Sequence, residues 1–542
     1  MKMHNLLPLL ALVPASSYGQ DQTQEIAPDG KLPNILCITC EDISPMIGCF
    51  GDSVAITPNL DHFANDAIRY TNMHTNVGVS APSRYALITG RYPSSDCSNH
   101  MRTNARNNPV GIPRYDIIVE PEIKCYTEYL REIGYYCTNN PKTDYQFKVP
   151  QAAWDECGKD AHWKNRPKGM PFFAIFNLNV THESRTWVRA NEKLSVKPDD
   201  IVVPPYYPDT PTVRHDMAVV YSNITEMDRQ FKVLYDELEA SGELDNTIII
   251  WYSDNGGPLP HHKREIYDRG TKVPFMISFP NKYQAGTQTD ELVAFVDIPP
   301  TILSLIGIKP PKYMQGQAFL GKYKAHKQRE YVYGARDRMD ACIDKQGYIR
   351  DHNYRYVRNY YPGTPNYMDV AYRKNMPMMN EIIEMHEKHL LNEIQASFFD
   401  LKRPEEEFYD LNKDPYELHN IIDDPKYKKE VTRLRKNYDK WIKKYNQNWL
   451  IPEKEYVNMI LPDSVQPQVA NPSFTLDNQK ITICSTTQGA SISYRIIDKQ
   501  GKVGRWMIYH EPLTVLEGVT YEAVGSRIGH KDSEIERFTG KN

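Results

Sequence analysis

The stretch NTIIIWYS, residues 246–253, has an apolar centre and no charged side chain, which predicts a strand buried on both faces. NILCITC, residues 34–40, and PFFAIFNL, residues 171–178, have the same character. A helix is predicted at 217–240, where apolar residues recur every three or four positions. Buried strands alternating with helices are typical of a sheet covered on both sides. The sequence therefore predicts an α/β fold with a central, mostly parallel sheet.

The length of the chain and the changes in its local composition predict more than one domain. Its 542 residues allow two or three domains. The α/β pattern fills residues 30–330, and a region rich in tyrosine, arginine and charged helices follows. A polar, proline-containing linker begins at 462, and short alternating runs follow it. We expect an N-terminal domain at 30–330, a smaller α+β subdomain at 331–460 and a small antiparallel β module at 463–542.

Charge and the N-terminus limit the location and the partners of the protein. The net charge of −4 shows no basic excess, so composition gives no reason to expect nucleic-acid binding. Lys2, an apolar run at 6–13 and small residues at 15–19 predict a signal peptide at 1–19. The apolar run is too short to span a bilayer, and we expect no membrane span elsewhere. The chain is expected to be exported to the periplasm or outside the cell.

Polar side chains follow the three predicted strands where each of them ends. Glu41 and Asp42 follow the first strand, His182 follows the second, and Asp254 with Asn255 follows the third. Ligands in open parallel sheets bind beyond the carboxyl ends of the strands. Carboxylate and amide oxygens are the ligands that Ca²⁺ and Mg²⁺ prefer. These residues therefore indicate a cation site, although acidic residues at strand ends also serve as turns and helix caps.

The segment SAPSRYALITG, residues 80–90, predicts a helix with Pro82 in its first turn and Gly90 at its end. Ser80 would lie just before the helix, where backbone N–H groups and the helix dipole favour an anion. Arg84 follows four residues later and can project to the same side. On physical grounds alone, a serine-capped helix with a solvated arginine is the better explanation of this segment.

The same segment resembles a longer signature. Ser80-x-Pro82-Ser83-Arg84, followed by Thr89-Gly90, is similar to the motif C/S-x-P-S-R-x-x-x-T-G of the type I, formylglycine-dependent sulfatases. The resemblance spans about 33–445 and looks closest to sulfamidase-like carbohydrate sulfatases. It implies an alkaline-phosphatase-like fold. Further segments fall in the family's order: Asn34-Ile35, Glu41-Asp42, Thr57-Pro58-Asn59-Leu60-Asp61, Ser253-Asp254-Asn255-Gly256, Lys263 with Gly270 and Pro274, and Tyr409-Asp410-Leu411 with Asp414-Pro415.

The resemblance implies a catalytic role for each matching residue. Ser80 would be oxidised to formylglycine, whose hydrate attacks sulfur, and Arg84 would steady that hydrate and help to bind sulfate. His182 and Lys263 would hold sulfate oxygens or protonate the leaving oxygen, and Lys142 would add positive charge. A serine at position 80 also implies an anaerobic radical-type maturing enzyme as a partner. Ca²⁺, or Mg²⁺, would be bound by Glu41, Asp42, Asp254, Asn255 and the modified Ser80.

Two positions depart from the family's pattern. Glu41 stands where most members have Asp. At 140–145 the family has Gly-Lys-x-His, and here Lys142 takes the place of the lysine while Asp144 takes that of the histidine. Asp144 is therefore interpreted as a group that binds a sugar hydroxyl. The residues predicted to bind substrate are His100, Asp144, His262, Arg338 and Asp340.

The resulting prediction is hydrolysis of a sulfate ester or N-sulfate in a sulfated glycan, with glucosamine-containing glycosaminoglycan or mucin fragments favoured. One alternative is a phosphomonoesterase or phosphodiesterase of the same superfamily that uses unmodified Ser80. Another alternative is a glycan-binding protein without catalysis, suggested by the departures at Glu41 and Asp144.

Overall fold

A computed structural model describes residues 31–104, 108–109 and 111–540, so the predicted signal peptide lies outside the described residues. Its centre is a sheet in the order β4-β3-β5-β1-β6-β7-β2-β8, with β9 beside β2. Every neighbouring pair is parallel except those that β7 makes with β6 and β2. The strands are β1 Asn34–Cys40, β2 Ala67–His74, β3 Tyr136–Asn140, β4 Glu156–Cys157, β5 Phe172–Leu178, β6 Thr247–Ser253, β7 Lys272–Ser278, β8 Gln288–Thr289 and β9 Val293–Ala294.

Helices cover this sheet on both faces, which confirms the prediction from the apolar strands. Every residue of β1 and of β6 is buried. Along β1, Ile35 and Cys37 pack into one hydrophobic core, and Leu36 and Ile38 pack into another on the opposite face. The helices are α1 Pro58–Phe63, α2 Ser80–Thr89, α3 Tyr126–Glu132, α4 Arg185–Val188, α5 Pro211–Ala240, α6 Asp268–Thr271, α7 Ile298–Leu305, α8 Pro377–Glu387, α9 Glu393–Ala396, α10 Lys428–Tyr445 and α11 Glu453–Ile460.

Helix α2 begins slightly earlier than the sequence predicts. Ser80 is its first residue rather than the residue before it, and extended Val79, at φ −153°, precedes the helix. The Val79 carbonyl accepts from the Ser83 amide at 3.2 Å, which adds one turn before Arg84. Gly90 ends the helix at φ 70°, as predicted. Glycine adopts this left-handed conformation at little steric cost because it has no Cβ, so it commonly ends helices.

The part of the chain after residue 330 forms antiparallel sheets. The first sheet has the order β10-β11-β12-β13, and further strands follow residue 472. These observations agree with the predicted textures, while the domain limits stay a prediction. The strands are β10 Val332–Arg336, β11 Gln346–Arg350, β12 Tyr354–Asn359, β13 Glu406–Asp410, β14 Ser473–Asp477, β15 Lys480–Cys484, β16 Ser491–Ile497, β17 Met507–Ile508, β18 Leu513–Thr514, β19 Thr520–Ser526 and β20 Glu536–Thr539.

None of the helices in the described ranges is both long enough and apolar enough to cross a membrane.

Candidate active site

The candidate site lies at the carboxyl edge of the central sheet. Because β1, β3, β5 and β6 are parallel neighbours, the residues that follow them meet at one edge. Helix α2 begins at the same place, since the Ser80 hydroxyl donates to Asn255 Oδ1 at 3.0 Å. Ser80 is only 1% exposed. The predicted nucleophile is therefore buried at a helix N-terminus that favours negative charge.

Asp42 is the centre of a buried charge network. Lys263 Nζ donates to both of its carboxylate oxygens, at 2.7 and 2.6 Å. Asn255 Nδ2 donates to Asp42 Oδ1 at 2.8 Å, and the Glu183 amide donates to Oδ2 at 2.6 Å. Burial alone would raise the pKa of Asp42, but Lys263 brings it below its ordinary value. Asp42 is thus held ionised, and a hydrogen-bonded path runs from Lys263 through Asp42 and Asn255 to Ser80.

Arg84 is fixed by two polar partners and has one nitrogen left over. Its Nε donates to Asp254 Oδ2 at 2.9 Å, and its Nη1 donates to Asn177 Oδ1 at 2.6 Å. Nη2 lies 3.8 Å from a carboxylate oxygen of Glu41 and makes no hydrogen bond with any described residue. A buried N–H without a partner is rare. This nitrogen is therefore suited to an anionic ligand placed beside Ser80.

Glu41 lies between the cations of the site. Lys142 Nζ donates to Glu41 Oε2 at 2.7 Å. Burial raises the pKa of Glu41, and the positive charges of Lys142 and Arg84 oppose that rise. The structure thus brings Lys142 to the site, as the sequence predicts, and pairs it with the residue that departs from the family's pattern.

His182 is neutral, and its hydrogen bonds define its tautomer. Burial, together with the positive charges of Lys263 and Lys142, lowers the pKa of His182 to about 2. The Ser184 amide donates to His182 Nδ1 at 3.2 Å, so Nδ1 is an acceptor and the proton lies on Nε2. Nε2 is 3.8 Å from Glu41 Oε2. His182 therefore presents an N–H donor on the side of the site where Glu41 lies.

The side chains beside Ser80 include the types of oxygen donor that a hard divalent cation prefers. Asp42, Asp254 and Asn255 are linked to one another and to Ser80 by contacts of 2.8, 3.2 and 3.0 Å. Carboxylate and amide oxygens are the donors that Ca²⁺ takes in proteins. Within the described ranges, no three Asp, Glu, His or Cys side chains are arranged as a preformed metal site. The ammonium group of Lys263 supplies the positive charge that Asp42 faces here.

A cleft of about 560 Å³ opens above this network. His182, Lys263 and Arg264 line it together with Arg102, Asp340 and Tyr372. Its volume lies within the range of ~300–1,000 Å³ that is common for ligand sites. Ser80 is not part of its lining but is joined to it through Asn255, Asp42 and Lys263.

The residues predicted to bind substrate separate into two groups. Asp340 lines the cleft, and Asp144 lies 3.7 Å from Lys142 Nζ with a quarter of its side chain exposed. The remaining three face buried partners and are not in the cleft lining. His100 lies 3.4 Å from Asp337 and 3.6 Å from Glu453. Arg338 donates two hydrogen bonds to Glu453, at 2.6 and 2.8 Å. The ring of His262 contacts Tyr206 at 3.0 Å and Ser44 at 3.3 Å.

Sequence reasoning missed four residues of the site. Asn177, at the end of β5, holds Arg84, and Glu183 forms a bidentate salt bridge with Arg264 at 2.8 Å for each bond. Arg264 and Arg102 line the cleft. Glu183 directly follows His182 in the sequence, and Arg264 directly follows Lys263, so their adjacency to predicted site residues could have identified them. Arg102 had no such signal.

Comparison with known proteins identifies the family of the chain. A family model described as Sulfatase matches residues 33–115 and 130–308, and one described as N-sulphoglucosamine sulphohydrolase, C-terminal, matches 260–402. A relative from Formosa agariphila, named ulvan-active sulfatase, is 41% identical, covering 93% of this chain and 90% of the relative. Human N-sulphoglucosamine sulphohydrolase is 23% identical, covering 80% of this chain and 94% of the relative.

The fold is also found in solved structures. A structure described as a 2-O GAG sulfatase superposes with a TM-score of 0.57 at 19% identity, covering 77% of this chain and 94% of that one. The expected alkaline-phosphatase-like sulfatase architecture, with its mostly parallel sheet and additional antiparallel sheets, is thereby confirmed. The extent of the match to the Formosa relative exceeds what a shared fold alone explains. The chain belongs to the sulfatase family of sulfate ester hydrolases.

Proposed function

We propose that the protein removes sulfate from a sulfated glycan with a formylglycine made from Ser80. The observation that carries the proposal is the position of the Ser80 hydroxyl, 3.0 Å from Asn255 Oδ1 at the first residue of helix α2. When formed, a formylglycine hydrate supplies one hydroxyl for attack on sulfur and a second whose proton loss expels sulfate. An unmodified serine lacks that second hydroxyl.

The chain's own residues would bind and orient the sulfate group. Lys142, Lys263 and Arg84, each paired with a carboxylate here, would stabilise the charge that develops on sulfate oxygens. His182, as a neutral imidazole, would donate a hydrogen bond from Nε2 to a sulfate oxygen. Glu41, Asp42, Asp254 and Asn255 would hold Ca²⁺, or Mg²⁺, which supplies further positive charge there.

Two relatives support the proposed substrate class, and their names state different substrates. The Formosa relative is named for activity on ulvan, and the human relative is named for N-sulphoglucosamine. We give ulvan fragments priority over the glucosamine sulfates, because the Formosa relative shares 41% identity over 93% of this chain. Export through a signal peptide at 1–19 and maturation by an anaerobic radical-type enzyme complete the proposal.

Mass spectrometry of the peptide that contains Ser80, on protein from its native host, tests the proposal directly. Loss of two hydrogens at Ser80, together with sulfate release from ulvan oligosaccharides or glucosamine sulfates, would support it. Unmodified Ser80 in a fully active sample would overturn the formylglycine mechanism and favour a serine-nucleophile phosphatase. Modified Ser80 with tight glycan binding but without turnover would favour a non-catalytic binding protein.

The R84K variant is expected to reduce kcat/KM for sulfate release by about 100- to 1,000-fold, which is the effect of removing one preorganised donor from an anion site. Lysine keeps the charge but cannot contact Asp254, Asn177 and the ligand at once. Steady-state kinetics of sulfate release measures this loss. R114Q, which changes an exposed arginine outside the cleft, is the control. Unchanged kcat/KM in R84K would show that Nη2 does not bind the sulfate.

A further inference from the structure

Arg102 differs from the other cationic residues of the cleft in that its ion pair is longer than theirs and includes no hydrogen bond. Lys263 is paired with Asp42 at 2.6 Å, and Arg264 is paired with Glu183 at 2.8 Å. Arg102 lies 3.7 Å from Asp144, beyond hydrogen-bond distance, and its guanidinium makes no hydrogen bond with any residue that the structure describes. Its side chain is 47% exposed and lines the cleft. The charge of Arg102 is therefore available to a ligand.

The backbone around Arg102 is held on both sides. Arg102 has φ 55°, a left-handed conformation that is uncommon for arginine. Before it, the Met101 amide donates to the Arg338 carbonyl at 2.8 Å. After it, the Thr103 amide donates to Gln146 Oε1 at 3.4 Å. Backbone strain persists only where the surrounding structure fixes it, and it collects at functional sites. These contacts preorganise the backbone from which the guanidinium projects.

The cleft has room for more than the sulfated sugar. Its volume of about 560 Å³ is shared by Lys263, His182 and Arg102. If the sulfate to be cleaved lies against Lys263, other groups of the same glycan therefore lie in the cleft that Arg102 lines. The planar guanidinium matches carboxylate and sulfate oxygens two at a time. Asp340, also in the cleft, suits sugar hydroxyls because a carboxylate only accepts hydrogen bonds.

We infer that Arg102 is a specificity residue that binds a second anionic group of the glycan, beside the sulfate that is cleaved. This inference rests on the proposed function and narrows its substrate class to glycans with at least two negative charges close together. The second group is a carboxylate of a uronic acid or a second sulfate, and both present the same pair of oxygens to the guanidinium. Neutral sugars that carry a single sulfate would be poor substrates.

Two matched pairs of substrates test this with formylglycine-bearing protein. One pair is a sulfated, uronate-containing oligosaccharide and its carboxyl-reduced form, and the other is glucosamine 2-N,6-O-disulfate and glucosamine 6-sulfate. R102Q is expected to raise KM by about 10- to 100-fold for the doubly charged member that the site accepts. For the singly charged members, kcat and KM should change less than about twofold. R102K should give a smaller loss, because lysine keeps the charge without the fork.

The pair that responds identifies the source of the anion. R114Q removes the same charge from an exposed position outside the cleft and should leave KM unchanged. An equal loss for both members of each pair, or no loss for any, would overturn the role of Arg102 while leaving the proposed function intact. If the unaltered enzyme releases no sulfate, the proposed function fails. Calorimetric binding of the same oligosaccharides to S80A and to S80A/R102Q then still decides whether Arg102 binds the second anion.

Discussion

Replacing Ser80 by alanine is expected to lower kcat/KM for sulfate release by at least about 10,000-fold, the scale seen when a catalytic nucleophile is removed. In the proposed mechanism the hydroxyl-bearing carbon of Ser80 becomes the aldehyde, and the Asn255 amide oxygen that the hydroxyl contacts cannot take its place. Binding of substrate should be nearly unchanged, because Lys142, Lys263 and Arg84 remain in place. Sulfate release and calorimetric binding on the same sample measure both quantities.

The matched control for S80A is S493A. Ser493 is equally buried, lies in strand β16, and its hydroxyl has no hydrogen-bond partner among the described residues. S493A should therefore keep full activity. A second variant, S80C, separates chemistry from folding: it should regain activity in a host with an oxygen-dependent cysteine converter, where the serine form stays inactive. Activity of S80A within tenfold of the unaltered protein would exclude Ser80 as the nucleophile.

The strands of the central sheet were predictable because their surroundings leave little choice of residue. A strand covered on both faces is buried at every position, as β1 and β6 are, and its residues are therefore mostly apolar. Their ends were predictable for the opposite reason, since polar residues appear where the strand leaves the core. The predicted start of α2 was one residue too late, because Val79 has no capping side chain that would mark the boundary in the sequence.

The centre of the site was predictable in composition but not in pairing. Sequence order places Asp42, Asp254 and Lys263 after their strands, yet the bidentate contact of Lys263 with Asp42 depends on a separation of 221 residues. The wrong placement of His262 has the same cause. His262 directly precedes Lys263 in the sequence, but its ring contacts Tyr206 and Ser44 and does not line the cleft. Neighbouring residues on a loop point in different directions, and sequence alone does not say which.

Arg102 shows what neither periodicity nor motif can find. Its proposed role depends on a long ion pair with Asp144, on a left-handed backbone and on a cleft shared with Lys263. Each of these is a property of contacts between distant segments. The residues proposed to hold the scissile sulfate could be selected from the sequence, because they lie in a motif or in segments that follow the strands. The residue proposed to select the glycan lies on a loop, and loops carry much of the variable function of a fold.

Replacing Lys263 by methionine is expected to destabilise the protein by about 3–5 kcal/mol in EDTA, the cost of leaving a buried charge without its partner. Lys263 is 2% exposed and the Asp42 side chain is fully buried. Methionine fills a similar volume without charge, so Asp42 would face only the Asn255 amide and the Glu183 N–H. The melting temperature measured in EDTA reports this loss.

Calcium provides the second half of the same experiment. If Asp42, Asp254 and Asn255 bind Ca²⁺, the cation replaces the missing ammonium charge, and the melting temperature of K263M should rise more on addition of Ca²⁺ than that of the unaltered protein. K309M, at an exposed position, should be neutral within about 0.5 kcal/mol in both conditions. Full stability of K263M in EDTA would contradict the ion pair. A loss that Ca²⁺ does not reduce would contradict the cation site, because a cation bound to Asp42 must stabilise the variant that lacks its lysine.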